Sequence, residues 1–151
     1  MKNNNKTKIL IFRTDRIGDL INTSPILKSL KNYYNNTEIH LVCSSYNSAI
    51  ALNYKFIDKV LIYDRSSGFL KKIKFFFKII NNYYSICVPI DGKQISKLVT
   101  LFIRAKQKYI ISFKKEKNFL GFKINIFRPS LFICRFFFDT YIICDENYDK
   151  K

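Results

Sequence analysis

Glycine is scarce, with four residues, and proline scarcer still, with three. No Gly-, Ser- and Pro-rich linker divides the chain, and 151 residues form one domain with a real core. So few glycines also exclude the loops that wrap nucleotide phosphates in backbone amides: neither GxGxxG nor GxxxxGK[ST] occurs. The cysteines are Cys43, Cys87, Cys134 and Cys144; none pairs as CxxC, and the single histidine, His40, stands apart from most of them. That spacing argues against a zinc site and a disulfide framework. Cys43 and Cys87 fall in apolar runs, as buried reduced thiols suited to the cytoplasm do. No stretch reads as a membrane span. The most apolar stretch, 124–144, is interrupted by Arg128, Pro129, Arg135 and Asp139, whereas a span needs about 20 mostly apolar residues. The start, MKNNNKTK, leads into a short strand and does not read as a secretory signal.

Acidic residues are also few. Eleven Asp and Glu face 27 Lys and Arg, a net charge of +16. Such an excess points to an anionic partner: nucleic acid, a phosphorylated substrate or an anionic membrane surface. A competing source is composition. Phe, Ile, Lys, Asn and Tyr, all with AT-rich codons, make up about 55% of the chain, and lysine outnumbers arginine 21 to 6. Bidentate phosphate recognition favours arginine, so nucleic acid is the weakest of the three partners; no RRM, KH or zinc-finger signature occurs either.

What is present is an alternation of strands and helices. KILIF (8–12) is a continuous apolar run of the kind parallel strands show when both faces are covered. Leu20, Leu27, Leu30 and Tyr34 then fall on one helical stripe between Gly18 and Tyr34. Pro25 leaves two starts open: Ser24 caps a helix with Pro25 at its first position, or the helix begins near Asp19 and kinks. Strands follow at 38–43, 59–64, 84–90 and 108–113, with helices at 44–53, 66–82 and 94–105. In the helix over 66–82, Phe69, Ile73, Phe76, Phe77 and Ile80 form the apolar face. KKEKNFLGF (114–122) reads as a basic loop, and 129–143 as a last helix with Pro129 near its start. The fold class is α/β: a Rossmann-like, mostly parallel sheet with helices on both faces. Such sheets bind ligands at the carboxyl ends of their strands, which brings together Arg13–Asp19, Asp64–Gly68 and Asp91–Lys93.

The first of these segments, RTDRIGDLINTSP (13–25), holds two of the few acids, Asp15 and Asp19, beside Arg13 and Arg16. Gly18 permits a sharp turn or a close ligand approach. A carboxylate at a strand tip can take a proton from a group about 2.6–3.2 Å away. It can equally cap a helix N-terminus. Chemistry alone leaves both roles open for Asp19.

Arg13, the Gly18–Asp19 pair, Thr23 four residues beyond that Asp and Pro25 six beyond it lie between an apolar strand and the LKSLKNYY segment. In this they resemble the N-terminus of the ADP-heptose:lipopolysaccharide heptosyltransferase family, glycosyltransferase family 9. The similarity continues through the ordered strands and helices of residues 8–113. The resemblance implies a GT-B architecture, with this chain as its N-terminal, acceptor-side Rossmann-like domain over 1–151 and the C-terminal donor domain absent. It implies inverting sugar transfer in lipopolysaccharide biosynthesis from a nucleotide sugar such as ADP-heptose to a glycolipid acceptor, with Asp19 as general base and no further cofactor. Arg13, Gly18, Thr23, Asp91 and Lys93 are the implied substrate-binding residues, without metal ligands. A second chain supplying the donor domain, inactivity of this chain alone and a cytoplasmic location, peripheral on the inner membrane face, are further expectations. Ser85 stands where the family commonly has Asp. The alternative is a non-catalytic module of the same fold that binds glycolipid or a partner.

Overall fold

The computed structural model describes residues 6–34, 36–114, 116–119, 122–125 and 140–145, with side chains to Ile110. The chain runs β1 (Thr7–Arg13), α1 (Ile17–Tyr33), β2 (Thr37–Ser44), α2 (Ser45–Leu52), β3 (Lys59–Tyr63), α3 (Phe69–Ile80), β4 (Tyr83–Pro89), α4 (Gln94–Phe102) and β5 (Arg104–Lys114). A two-stranded antiparallel sheet, β6 (Glu116–Phe119) and β7 (Phe122–Asn125), precedes β8 (Thr140–Asp145). The main sheet has the order β3-β2-β1-β4-β5-β8, and every pairing in it is parallel.

Side-chain alternation in β1 explains the layers. Ile9 and Ile11 point one way and, with Ile39 and Leu41 of β2, bury Leu20 and Leu27 of α1 and Ala51 of α2. Leu10 and Phe12 point the other way, into a second core with Val42, Tyr63, Tyr84, Ile79 of α3 and Val99 of α4. Helices α1 and α2 therefore cover one face, and α3 and α4 the other. The chain builds β1, β2 and β3 in one direction, then returns through α3 to lay β4 on the far side of β1. The strand order thus reverses between β1 and β4, where open α/β sheets form a ligand crevice.

Of the two starts left open for α1, the one near Asp19 holds: the helix begins at Ile17 and runs through Pro25, so Ser24 does not cap it. Several expectations are corrected. On α3 the inward face is Phe75, Phe76, Ile79 and Ile80, while Phe69 and Phe77 are exposed. An apolar run as dense as FFFKII fits more than one stripe, and packing chooses. Helix α4 ends at Phe102, and β5 begins at Arg104 and reaches Lys114. The basic loop at 114–122 instead contains β6 and the start of β7. The end of the helix expected over 129–143 is strand, since β8 starts at Thr140; the run TYII is rich in β-forming residues. Positions 129–139 of that helix lie outside the described residues. Cys43 and Cys87 are buried free thiols, whose pKa values burial pushes up to about 11 and about 12. Among the described residues no helix is long and apolar enough to cross a membrane.

Candidate functional site

The carboxyl ends of β1 and β4 meet through a polar clasp. Asp91 follows β4, and its Oδ2 accepts hydrogen bonds from Thr14 Oγ1 at 2.7 Å and Ser96 Oγ at 2.7 Å. Its Oδ1 accepts the Lys93 amide at 3.2 Å. That local turn uses Gly92 at φ 64, a left-handed conformation in which glycine pays no Cβ penalty. Lys93 Nζ reaches back to donate to the Thr14 carbonyl and, at 2.9 Å, to Thr14 Oγ1. Thr14 and Ser96 are buried, so the clasp ties together loops far apart in sequence.

Arg13 ends β1 and organises the acids. Its Nη1 donates to the Ile90 carbonyl at 2.9 Å and pairs with Asp15 Oδ2 at 3.1 Å, while Nη2 lies 3.8 Å from Asp19 Oδ1. The two carboxylates differ in environment: the Asp15 side chain is 19% exposed and that of Asp19 41%. Burial pushes the Asp15 carboxyl up, against the pull of Arg13. Asp19 is the third residue of α1, whose N-cap is Arg16, and its carboxylate makes no hydrogen bond to the helix backbone among the described residues. It is therefore not the cap; it stands in the first turn, where the helix dipole favours a negative charge. Thr23 is buried one turn below, its hydroxyl donating to the Asp19 carbonyl at 2.6 Å. Gly18 is helical, and a Cβ there would meet nothing within 4 Å. Backbone strain does not explain this glycine, but open space beside Asp19 is compatible with close approach of a ligand.

Two cavities flank this edge. A polar cleft of about 540 Å³ is walled by Asp15, Arg16, Ser44, Asp64, Arg65 and Lys93, among others. Burial, and then the neighbouring Arg65 charge, push the Lys93 pKa down, with Asp91 opposing. On the α1 side, an apolar cavity of about 580 Å³ runs beneath Arg13 and Thr23 between Ile26, Ile86 and Val88. Asp19 lines neither. Four buried polar atoms lack a hydrogen-bond partner among the described residues, and all sit at this edge: Arg13 Nε, Asp15 Oδ1, Ser44 Oγ and Asn47 Oδ1. Such concentration is unusual, since buried polar groups are normally satisfied.

The structure thus gathers Arg13, Gly18 and Asp19 in one turn, sets Thr23 beneath them and joins Asp91 and Lys93 to the same edge through Thr14. Sequence reasoning missed Thr14, Ser96 and Asn47. Asn47 is fully buried, and its Nδ2 donates to the Asp15 carbonyl at 3.1 Å from the first turn of α2. Its one signal was position, an Asn just beyond a parallel strand, at the same carboxyl edge.

Taken together, the parallel sheet and its reversal point define a Rossmann-like α/β fold of the kind found in GT-B glycosyltransferases. Among solved structures the chain is similar to Escherichia coli heptosyltransferase WaaC with ADP, at TM-score 0.62 and 16% identity over 70% of this chain. It is similar to the same enzyme with ADP-2-deoxy-2-fluoro heptose at TM-score 0.61. A glycosyl transferase family 9 structure from Veillonella parvula matches at TM-score 0.65 and 16% identity over 90% of the chain. In each case this chain spans 36% of the neighbour's length. What is shared is the fold. No protein-family description and no curated protein matches the sequence.

Proposed function

We propose that this chain is the acceptor-side half of an inverting GT-B glycosyltransferase, with Asp19 as general base. The observation that carries the reading is the state of that carboxylate. It is the more accessible of the two acids, in the first turn of α1 at the sheet's carboxyl edge, with Arg13 at 3.8 Å as its ion-pair partner, whereas Asp15 is more enclosed and Asp91 is fully engaged in the clasp. Asp19 takes the proton of an acceptor hydroxyl as its oxygen attacks the anomeric carbon. The new carbon–oxygen bond forms as the bond to the nucleotide diphosphate breaks, and the diphosphate leaves with the electron pair. Arg13, anchored on Ile90, holds Asp19 in position, and the Thr23 hydroxyl braces the turn that carries it. Lys93, Arg65 and Arg16 at the polar cleft bind the anionic groups of a glycolipid acceptor. The ADP-containing neighbours support a nucleotide sugar such as ADP-heptose as donor, bound by a domain outside these residues. That domain comes from a second chain or a longer polypeptide, at the cytoplasmic face of the membrane.

The test joins this chain to a family 9 donor-binding half, fused or supplied in trans, and follows sugar transfer to a phosphorylated glycolipid. Transfer is expected only with both halves. Asp19→Asn is expected to lower kcat by about 10²–10⁴-fold with acceptor KM little changed. Turnover by the 151-residue chain alone overturns the half-enzyme reading, and full activity of the Asp19→Asn assembly overturns the base. A second reading, a non-catalytic binding module, draws on the open apolar cavity beside α1. It predicts glycolipid binding by this chain with no transfer in any assembly.

A further inference from the structure

Helix α3 is amphipathic in an unusual way. Its inner face packs on the sheet through Phe75, Phe76, Ile79 and Ile80, yet its outer face is not simply polar. Phe69 is 76%, Leu70 73% and Phe77 60% exposed. Lys71, Lys74 and Lys78 are interleaved with them, α3 contains no acidic residue, and none of these lysines forms an ion pair among the described residues. Helix α4, in the same layer, adds exposed Ile95, Leu98 and Phe102 at helical spacing. Scattered exposed apolar side chains need no explanation, but two helices on one sheet face presenting apolar stripes, that of α3 flanked by such lysines, do.

We propose that the outer face of α3, continued by α4, seats on an anionic lipid bilayer, with Phe69, Leu70 and Phe77 entering the headgroup boundary and Lys71, Lys74 and Lys78 contacting lipid phosphates. Charge complementarity selects this occupant, because the apolar side chains of α3 are flanked by exposed lysines with no acid on the helix, and the whole chain carries +16. The exposed groups project from the convex side of a helix rather than from a groove, which suits a fluid plane better than a folded partner. Placement agrees too. Arg65 and Ser66 line the polar cleft, and Phe69 begins α3 three residues later, so a bilayer held here lies beside the candidate acceptor site. The inference extends the proposed function but needs neither Asp19 nor a donor half.

The chain contains no tryptophan, so Phe77→Trp installs a single fluorescent reporter. Leu52→Trp, on exposed α2 across the sheet, is its control. Vesicles of phosphatidylglycerol and phosphatidylethanolamine, without any glycolipid, are expected to blue-shift the reporter at 77, with quenching by brominated lipid, and to leave the reporter at 52 unchanged. Co-sedimentation of the tryptophan-free chain is expected to fall about tenfold or more for the triple variant Phe69→Gln, Leu70→Gln, Phe77→Gln, and comparably for Lys71→Gln, Lys74→Gln, Lys78→Gln. Replacing Lys28, Lys55 and Lys106 by Gln, with the same loss of charge, should matter far less. Equal loss with that control set reduces the effect to net charge and overturns the proposal. So does equal binding to phosphatidylcholine vesicles, or no binding at all, the outcome expected if an acidic protein covers this face. Circular dichroism of each variant excludes unfolding, and retained binding by Asp19→Asn separates this result from the fate of the transferase reading.

Discussion

His40 shows how much a single side chain can set. It is buried on β2 with Nε2 2.6 Å from Glu38 Oε1 and Nδ1 3.4 Å from the Tyr84 hydroxyl. The hydrogen bond from His40, assisted by Lys6, holds the Glu38 carboxyl down to about 2, so it is ionised and accepts only. Nε2 must then carry the proton, and Nδ1 receives the tyrosine hydroxyl. Burial pushes the His40 pKa below its ordinary 6.5, with Lys59 and Lys8 adding to that and Glu38 opposing it. Because its folded pKa is depressed, the unfolded chain takes up a proton first as pH falls. His40's contribution is complete above 6.5 and is lost as pH drops through the lowered value. Glu38 follows between 4.5 and about 2, in the same direction. Urea unfolding should therefore show stability falling below neutrality with a slope approaching about 1.4 kcal/mol per pH unit in the histidine window. In His40→Gln that segment should flatten and the Glu38 limb should shrink, because the hydrogen bond from His40 is the main cause of the lowered Glu38 pKa and Lys6 only assists it. A wild-type profile flat from neutrality to pH 5 would contradict the neutral buried imidazole.

At the scale of the element, α1 breaks a local rule beside the candidate site. Pro25 lies inside the helix, removes the amide that would bond the Ile21 carbonyl, and crowds that carbonyl with its ring. The Ser24 hydroxyl replaces the lost donor, reaching Ile21 O at 2.7 Å, just as Thr23 reaches Asp19 O. Interior proline costs about 3 kcal/mol relative to alanine, and one such hydrogen bond contributes about 1 kcal/mol. Pro25→Ala is accordingly expected to stabilise the chain by about 1–3 kcal/mol in chemical denaturation. Ser24→Ala should cost about 1 kcal/mol in the wild type and little in the Pro25→Ala background, so the pair is non-additive. Additive effects would show that Ser24 does not compensate for Pro25. The same helix marks how far the sequence could be read. The strands were legible because burial on both faces leaves unbroken apolar runs such as KILIF, and the alternation of types then gave the fold class. The ends of α1 were not, because Pro25 is a start signal or an interior defect depending on tertiary packing. The acid-bearing turn at 13–19 stood out, and the resemblance singled out Asp19 within it. Thr14 and Asn47 stayed hidden because short polar side chains gain their role only when the sheet brings together positions 77 and 32 residues apart, and Ser96, five residues from Asp91, gains its role only once Asp91 is placed in that clasp.

For the whole molecule the governing quantity is the charge. With 27 basic and 11 acidic residues, the basic side chains exceed the carboxylates by 16. Exposed ion pairs such as Lys31–Asp58 contribute little each, while like-charge repulsion is summed over the surface. Salt screens both, and at this imbalance repulsion outweighs attraction. Raising sodium chloride from about 0.05 to about 0.5 M, which shortens the screening length from well above to well below about 10 Å, should raise the thermal midpoint, by a few degrees. A fall would mean that ion pairs dominate despite the imbalance. The same titration should weaken attachment to anionic vesicles, since there the lysines gain from an oppositely charged surface. The two responses have opposite signs and different origins. The stability response belongs to net charge and should change alike when three exposed lysines are removed from α3 or from elsewhere. The vesicle response should depend on Lys71, Lys74 and Lys78. That contrast separates a basic surface left by composition from one that has acquired a use: drift gives the first response without the second's dependence on position.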